Sequence, residues 1–189
     1  MALISEQQSH QLQTAVSHLK AGAVIAYPTE TVWGFGCDPN NQAAVLQLLK
    51  LKQRPIEKGL ILVAADSEQF VPYLSHLDFV LQEKFNTSTD VPTTWLVPGT
   101  VAPAWVRGDF DSVALRVSTS KLVKALCQGF GGPIVSTSAN VAGQPTASSE
   151  QQLQPFLEQG LSYILPGSTG IGGRPSVIRD LLTDRIIRS

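Results

Sequence analysis

Cysteine is scarce in this chain. Cys37 and Cys127 are the only two among 189 residues, too few for a disulfide scaffold and too far apart for a zinc-binding spacing. Charge is thin as well: Lys and Arg number 14 against 15 for Asp and Glu, and the formal net charge of -1 removes any bulk-charge argument for nucleic-acid binding. No stretch of about eighteen apolar residues occurs. The start, MALISEQQSHQLQ, lacks a basic segment followed by an apolar one, so neither a membrane span nor a secretory signal is expected and the expected location is the cytoplasm. There is no G-x-x-x-x-G-K-[ST], no G-x-G-x-x-G and no G-x-S-x-G, which leaves out a P-loop, a dinucleotide fingerprint and a nucleophile elbow. His10, His18 and His76 are scattered through polar stretches and are read as surface residues, not as a metal cluster or a Ser/His relay.

What is present is organised as one domain, residues 1–189. With 43% hydrophobic residues the chain can bury a full core. Ser5 and Gln8 resemble a capping box, and Leu12, Val16 and Leu19 recur at helical spacing up to Gly22. AVIAY (Ala23 to Tyr27) reads as a buried strand that opens, at Pro28, into a loop PTETVWGFGCDPN. Ala44, Val45, Leu48 and Leu49 form a helical stripe that Pro55 brings to an end. GLILVAA, TTWLVP, SVALRV and GPIVS read as strands, with helical segments over Asp66 to Phe85 and in TSKLVKALCQGF. The later strands SYILP, SVIRD and RIIRS, joined by short connections, predict antiparallel additions, so the expectation is an α/β fold with a mixed sheet. The glycine-rich PGSTGIGGRPS reads as a functional or mobile loop and not as a domain boundary.

Two polar clusters interrupt this plan. LKLKQRPIEKGL places Lys50, Lys52, Arg54 and Lys58 around a helix end. Cations there suit the helix dipole, but Lys52 and Arg54 bracket a fixed stop shortly before a strand, a rigid arrangement suited to phosphate. Both are expected to meet ligand and not the core. In PIVSTSAN an apolar strand runs directly into Ser136, Thr137, Ser138 and Asn140, more polar groups than a helix cap needs, at a carboxyl end of a strand where open α/β sheets bind ligands. Thr29 and Thr31 in YPTET stand at another strand end, with a plain turn as the competing reading.

Taken in order, YPTETVWGFGCDP, LKQRPIEKGLILVA, SVALRV, STSAN and PSVIRD resemble the YrdC/TsaC family of threonylcarbamoyl-AMP synthases in its short, single-domain form. The resemblance runs from about Gln11 to Arg188. It implies a YrdC-like twisted sheet of mixed parallel and antiparallel strands, flanked by helices, around a central concave cationic cavity. The implied reaction takes L-threonine, bicarbonate and ATP to threonylcarbamoyl-adenylate and pyrophosphate. Mg2+ accompanies the ATP, and other proteins then carry the threonylcarbamoyl group to a tRNA adenosine. By position in the family pattern, Lys52 and Arg54 are the catalytic pair. Lys52, Arg54, Lys58, Ser138, Asn140 and Arg188 hold ATP, and Thr31, Thr94, Arg116, Ser136 and Ser176 hold threonine or its carbamate. The segment TDVPTTW departs from the W-P-G-P-x-T of many relatives, keeping Pro92 and Thr94. A non-catalytic RNA-binding module using the same cavity is the second reading, disfavoured because no aromatic platform for bases stands out.

Overall fold

The computed structural model describes residues 6–87, 89, 91–170 and 176–188. Helix α1 (Glu6–Lys20) leads into strands β1 (Ile25–Pro28) and β2 (Trp33–Gly36), then helix α2 (Gln42–Lys52), a short 3-10 turn (Ile56–Lys58) and β3 (Ile61–Ala64). Helices α3 (Val71–Leu74) and α4 (Phe79–Asn86) precede β4 (Thr93–Pro98), α5 (Ala104–Arg107) and β5 (Ser112–Val117). Helix α6 (Lys121–Phe130), β6 (Ile134–Ser138), α7 (Gln154–Leu157), β7 (Tyr163–Ile164), β8 (Val177–Asp180) and β9 (Ile186–Arg188) complete the described chain. Among the described residues no helix is long and apolar enough to cross a membrane.

The strands lie in the order β7-β1-β2-β6-β3-β5-β4-β8-β9. The sheet is mixed, as expected. Pairs β1/β7, β3/β5 and β4/β8 are parallel, and the remaining neighbours are antiparallel. Two expectations are corrected here. The segment read as a single loop after the first strand contains β2, which pairs with β1 from Ile25↔Gly36 to Pro28↔Trp33. Of the three late strands only β9 joins its neighbour antiparallel; β7 and β8 lie parallel to β1 and β4. The first helix is confirmed from Glu6, whereas the proposed cap at Ser5 lies outside the described residues, as does the 171–175 part of the glycine-rich segment.

Strand periodicity sends alternate residues to opposite faces. Ala26, Leu62 and Val135 enter one core with Leu48 of α2, Phe70 and Phe85. Their neighbours Ile25, Tyr27, Val63 and Ile134 enter the other, with Leu19 of α1 and Leu126 of α6. Helices thus cover both faces, and the second face is left uncovered where strands β5 and β6 turn polar. That gap is the cavity described next.

Candidate functional site

A cavity of about 620 Å³ opens on the sheet. Its floor follows from the period of two: Ser112, Ala114 and Arg116 on β5 and Ser136 and Ser138 on β6 face the same way, and all five line it. Lys52, Arg54, Lys58, Arg107 and Arg188 join Arg116 around the walls, and no Asp or Glu lines the cavity among the described residues. Of the eleven site residues named from sequence, Thr94 alone stays out of the lining. It is fully buried, and its hydroxyl meets that of Ser176 at 2.8 Å, so it bears on the cavity through Ser176.

The cationic corner is built by the end of α2. Gln53 takes a left-handed conformation (φ 48), its N–H bonds to Lys50 O, and the N–H of Arg54 reaches back to Leu49 O. This pair of bonds is a Schellman closure, with Pro55 following where the chain can no longer be helical. The turn leaves Lys50 exposed, away from the cavity, and sends Lys52 and Arg54 toward it. Arg54 is tied down by its own loop: Nη2 donates to Lys58 O at 3.0 Å and to Gly59 O at 2.9 Å. Gly59 (φ 59) is required there, because a side chain would strike the Arg107 carbonyl at 2.7 Å. That close approach brings Arg107, which the sequence reading missed, to the same corner.

Lys52 departs from expectation. Only 3% of it is exposed, so it is part of the buried framework as well as of the cavity wall. Its Nζ donates to Ser138 O, to Asn140 O at 3.0 Å and to Asn140 Oδ1 at 3.1 Å. Burial, with Arg54 adding to it, pulls the ammonium pKa down to about 8. The Ser138 hydroxyl donates to Asn140 Oδ1 at 2.6 Å, and Asn140 Nδ2 donates to Gln144 O. The polar run at the end of β6 is therefore a turn locked from below by a lysine.

Across the cavity, Arg116 sits on β5, an interior strand between β3 and β4, and not at the edge where a merely solvated arginine belongs. Its Nη2 lies 3.7 Å from Glu30 Oε2. Glu30 is the second residue that the sequence reading passed over. Its Oε1 accepts from the Ser118 hydroxyl at 2.5 Å and from the backbone N–H groups of Thr119 and Ser120 at 2.8 and 3.1 Å. Burial opposes ionisation of Glu30, but the Ser118 hydrogen bond, the Arg116 charge and the backbone donors prevail and hold its carboxyl near 2. Thr29 fulfils the plain-turn reading: its hydroxyl donates to Val32 O and accepts from Thr31 and Val32 N–H. Thr31 lines the cavity from the same turn, and Arg188 Nη2 donates to Ser176 O at 3.2 Å on the far side.

Comparison with known proteins places the chain in a family. A protein of Saccharophagus degradans named threonylcarbamoyl-AMP synthase is 52% identical over 95% of this chain and 94% of its own. One of Cellvibrio japonicus with the same name is 46% identical over 92% and 93%. Among solved structures, P. abyssi Sua5 complexed with L-threonine superposes with a TM-score of 0.80 at 26% identity, over 89% of this chain and 50% of that longer one. The Sua5/YciO/YrdC family model, described as telomere recombination, matches residues 17–189. With that match running through both walls of the cavity, from Thr31 and Lys52 to Ser176 and Arg188, the chain belongs to the Sua5/YciO/YrdC family.

Proposed function

We propose that this chain is a threonylcarbamoyl-AMP synthase, joining L-threonine, bicarbonate and ATP into threonylcarbamoyl-adenylate with release of pyrophosphate. The carrying observation is the shared name of relatives 46 to 52% identical over more than nine tenths of the chain. The cavity suits that chemistry. A carbamate oxygen bonds to the α-phosphorus as the bond to the pyrophosphate oxygen breaks, and no protein nucleophile takes part. Rate then depends on alignment and on stabilising the charge that builds on the phosphates.

In this reading Lys52, Arg54, Lys58 and Arg188 set the field for the triphosphate, with Ser138 and Asn140 shaping the turn that receives it. Lys52 acts partly through that turn, since its donors already hold Ser138 and Asn140. Arg116 offers two parallel N–H donors to the threonine carboxylate, and Thr31, Ser136 and Ser176 supply hydroxyls around the amino acid. Thr94 aims the Ser176 hydroxyl. Mg2+ enters as part of the ATP substrate and neutralises phosphate charge. Among the described residues no carboxylate lines the cavity and no group of three or more His, Cys, Asp or Glu is placed to hold an ion, so these residues offer the metal no anionic ligand there. The product passes to proteins that transfer the threonylcarbamoyl group to tRNA.

A non-catalytic RNA-binding module is not favoured, because the relatives carry an enzyme's name throughout. Incubation of the purified protein with ATP, bicarbonate and L-threonine tests the reading. Pyrophosphate release that requires all three substrates, with threonylcarbamoyl-adenylate detected by mass, is the expected outcome. Release independent of threonine overturns it.

A further inference from the structure

The six cations around the cavity are not equivalent. Among the described residues, Arg116 is the one with an acidic partner, Glu30. The two side chains are largely enclosed, 13% and 16% exposed, and Glu30 itself does not line the cavity. Its Oε1 is committed to the Ser118–Ser120 corner, at the start of α6, whereas Oε2 is buried without a hydrogen-bond partner and faces the guanidinium. Arg116 Nε is likewise buried and unbonded. The carboxylate is thus pinned by one oxygen and spends the other on the electrostatics of Arg116.

Such a contact matters in this cavity. A triphosphate and an amino acid must occupy it together, and a ring of cations attracts phosphate most strongly wherever it is least compensated. The amino acid is a zwitterion, and its ammonium is repelled by the same ring. An anion fixed behind one arginine lowers the positive potential at that end while leaving the outward N–H donors in place. A carboxylate flanked by an ammonium then fits there better than a phosphate does. We propose that Glu30 is a specificity-determining residue, acting through Arg116 to reserve the Arg116 end of the cavity for a zwitterionic amino acid and to keep phosphate groups at the Lys52–Arg54 end. This rests on the assignment of Arg116 to the threonine carboxylate.

The test is equilibrium binding by calorimetry, independent of turnover, with L-threonine, inorganic phosphate and ATP as probes. Wild-type protein should bind L-threonine without displacement by phosphate at constant ionic strength. Glu30→Gln keeps an amide oxygen for Ser118, Thr119 and Ser120 but removes the charge. Its threonine affinity should fall about tenfold or more, phosphate should now compete with threonine, and ATP affinity should hold or rise. Equal loss of threonine and ATP affinity in the variant, or unchanged threonine binding without phosphate competition, overturns the proposal. Should Glu30→Gln not fold, the wild type still decides: phosphate that competes with L-threonine for the wild-type protein also overturns it. Failure of wild-type protein to bind L-threonine at all instead refutes the synthase reading, so the two are separable.

Discussion

Lys52 and Asn140, 88 positions apart in sequence, are joined twice by one ammonium, through the Asn140 carbonyl at 3.0 Å and its side-chain oxygen at 3.1 Å. The lysine most suggestive of phosphate binding is thereby also a structural member. Lys52→Met should lower stability by about 1 to 3 kcal/mol, since it strands part-buried acceptors on Ser138 and Asn140, and should weaken ATP binding as well. Arg54→Ala, whose acceptors lie in its own surface loop, should weaken ATP binding about tenfold or more with little change in stability. Urea midpoints measured beside ATP affinities check this; a fully stable Lys52→Met protein contradicts the structural role.

The lowered Lys52 pKa gives a pH signature. The ammonium loses its proton in the folded protein near pH 8 but in the unfolded chain only near 10.5, so between those values the unfolded state binds more protons and stability from this group rises with pH. ATP affinity runs the other way, declining as the charge is lost above about pH 8. Titration of ATP binding between pH 6.5 and 9.5, roughly spanning that value, should show a step in wild type that Lys52→Met lacks.

Glu30 has a linkage of the same sign in an acidic window, stability again rising with pH. Its folded pKa, near 2, lies below the ordinary 4.5, so its stabilisation is complete above pH 4.5 and is lost as pH falls through about 2. Acid unfolding followed by tryptophan fluorescence should be less steep between those values in Glu30→Gln than in wild type. Equal slopes indicate that Glu30 is not held as described.

Thr94→Val removes a hydroxyl without changing size and leaves the Ser176 hydroxyl unaimed. A net hydrogen bond of about 0.5 to 1.5 kcal/mol corresponds to a few-fold to roughly tenfold rise in KM for threonine, with KM for ATP unchanged. A matching rise in both constants shows that the pair serves general packing instead.

Much of this architecture is legible in the sequence, for reasons that particular residues make clear. The α2 stripe of Ala44, Val45, Leu48 and Leu49 and the stop before Pro55 are local signals, and they locate the cationic corner. Strand β2 is not legible, because Gly34 and Gly36 interrupt the usual strand composition. Gly36 is there for close approach: a side chain would collide with Tyr27 and with Val135 O at 2.7 Å. The directions of β7 and β8 depend on partners far away in the chain, which no local pattern encodes. Glu30 escaped notice because one acid between two threonines looks like a turn, and its significance appears only when β5 and the start of α6 are brought beside it.

The parallel seating of β8 on β4, with β9 folded back against β8, has a consequence for how the protein is born. Ribosomes release Lys52, Arg54 and Asn140 well before Ser176 and Arg188, so a growing chain carries most of its cationic corner while one wall is still missing. On the proposed assignment of Arg188 to the triphosphate, nucleotide gains its full set of contacts only after β9 has been made and docked. Stabilisation by ligand therefore comes late in biogenesis, and chains interrupted before that strand are left without it and more open to proteolysis.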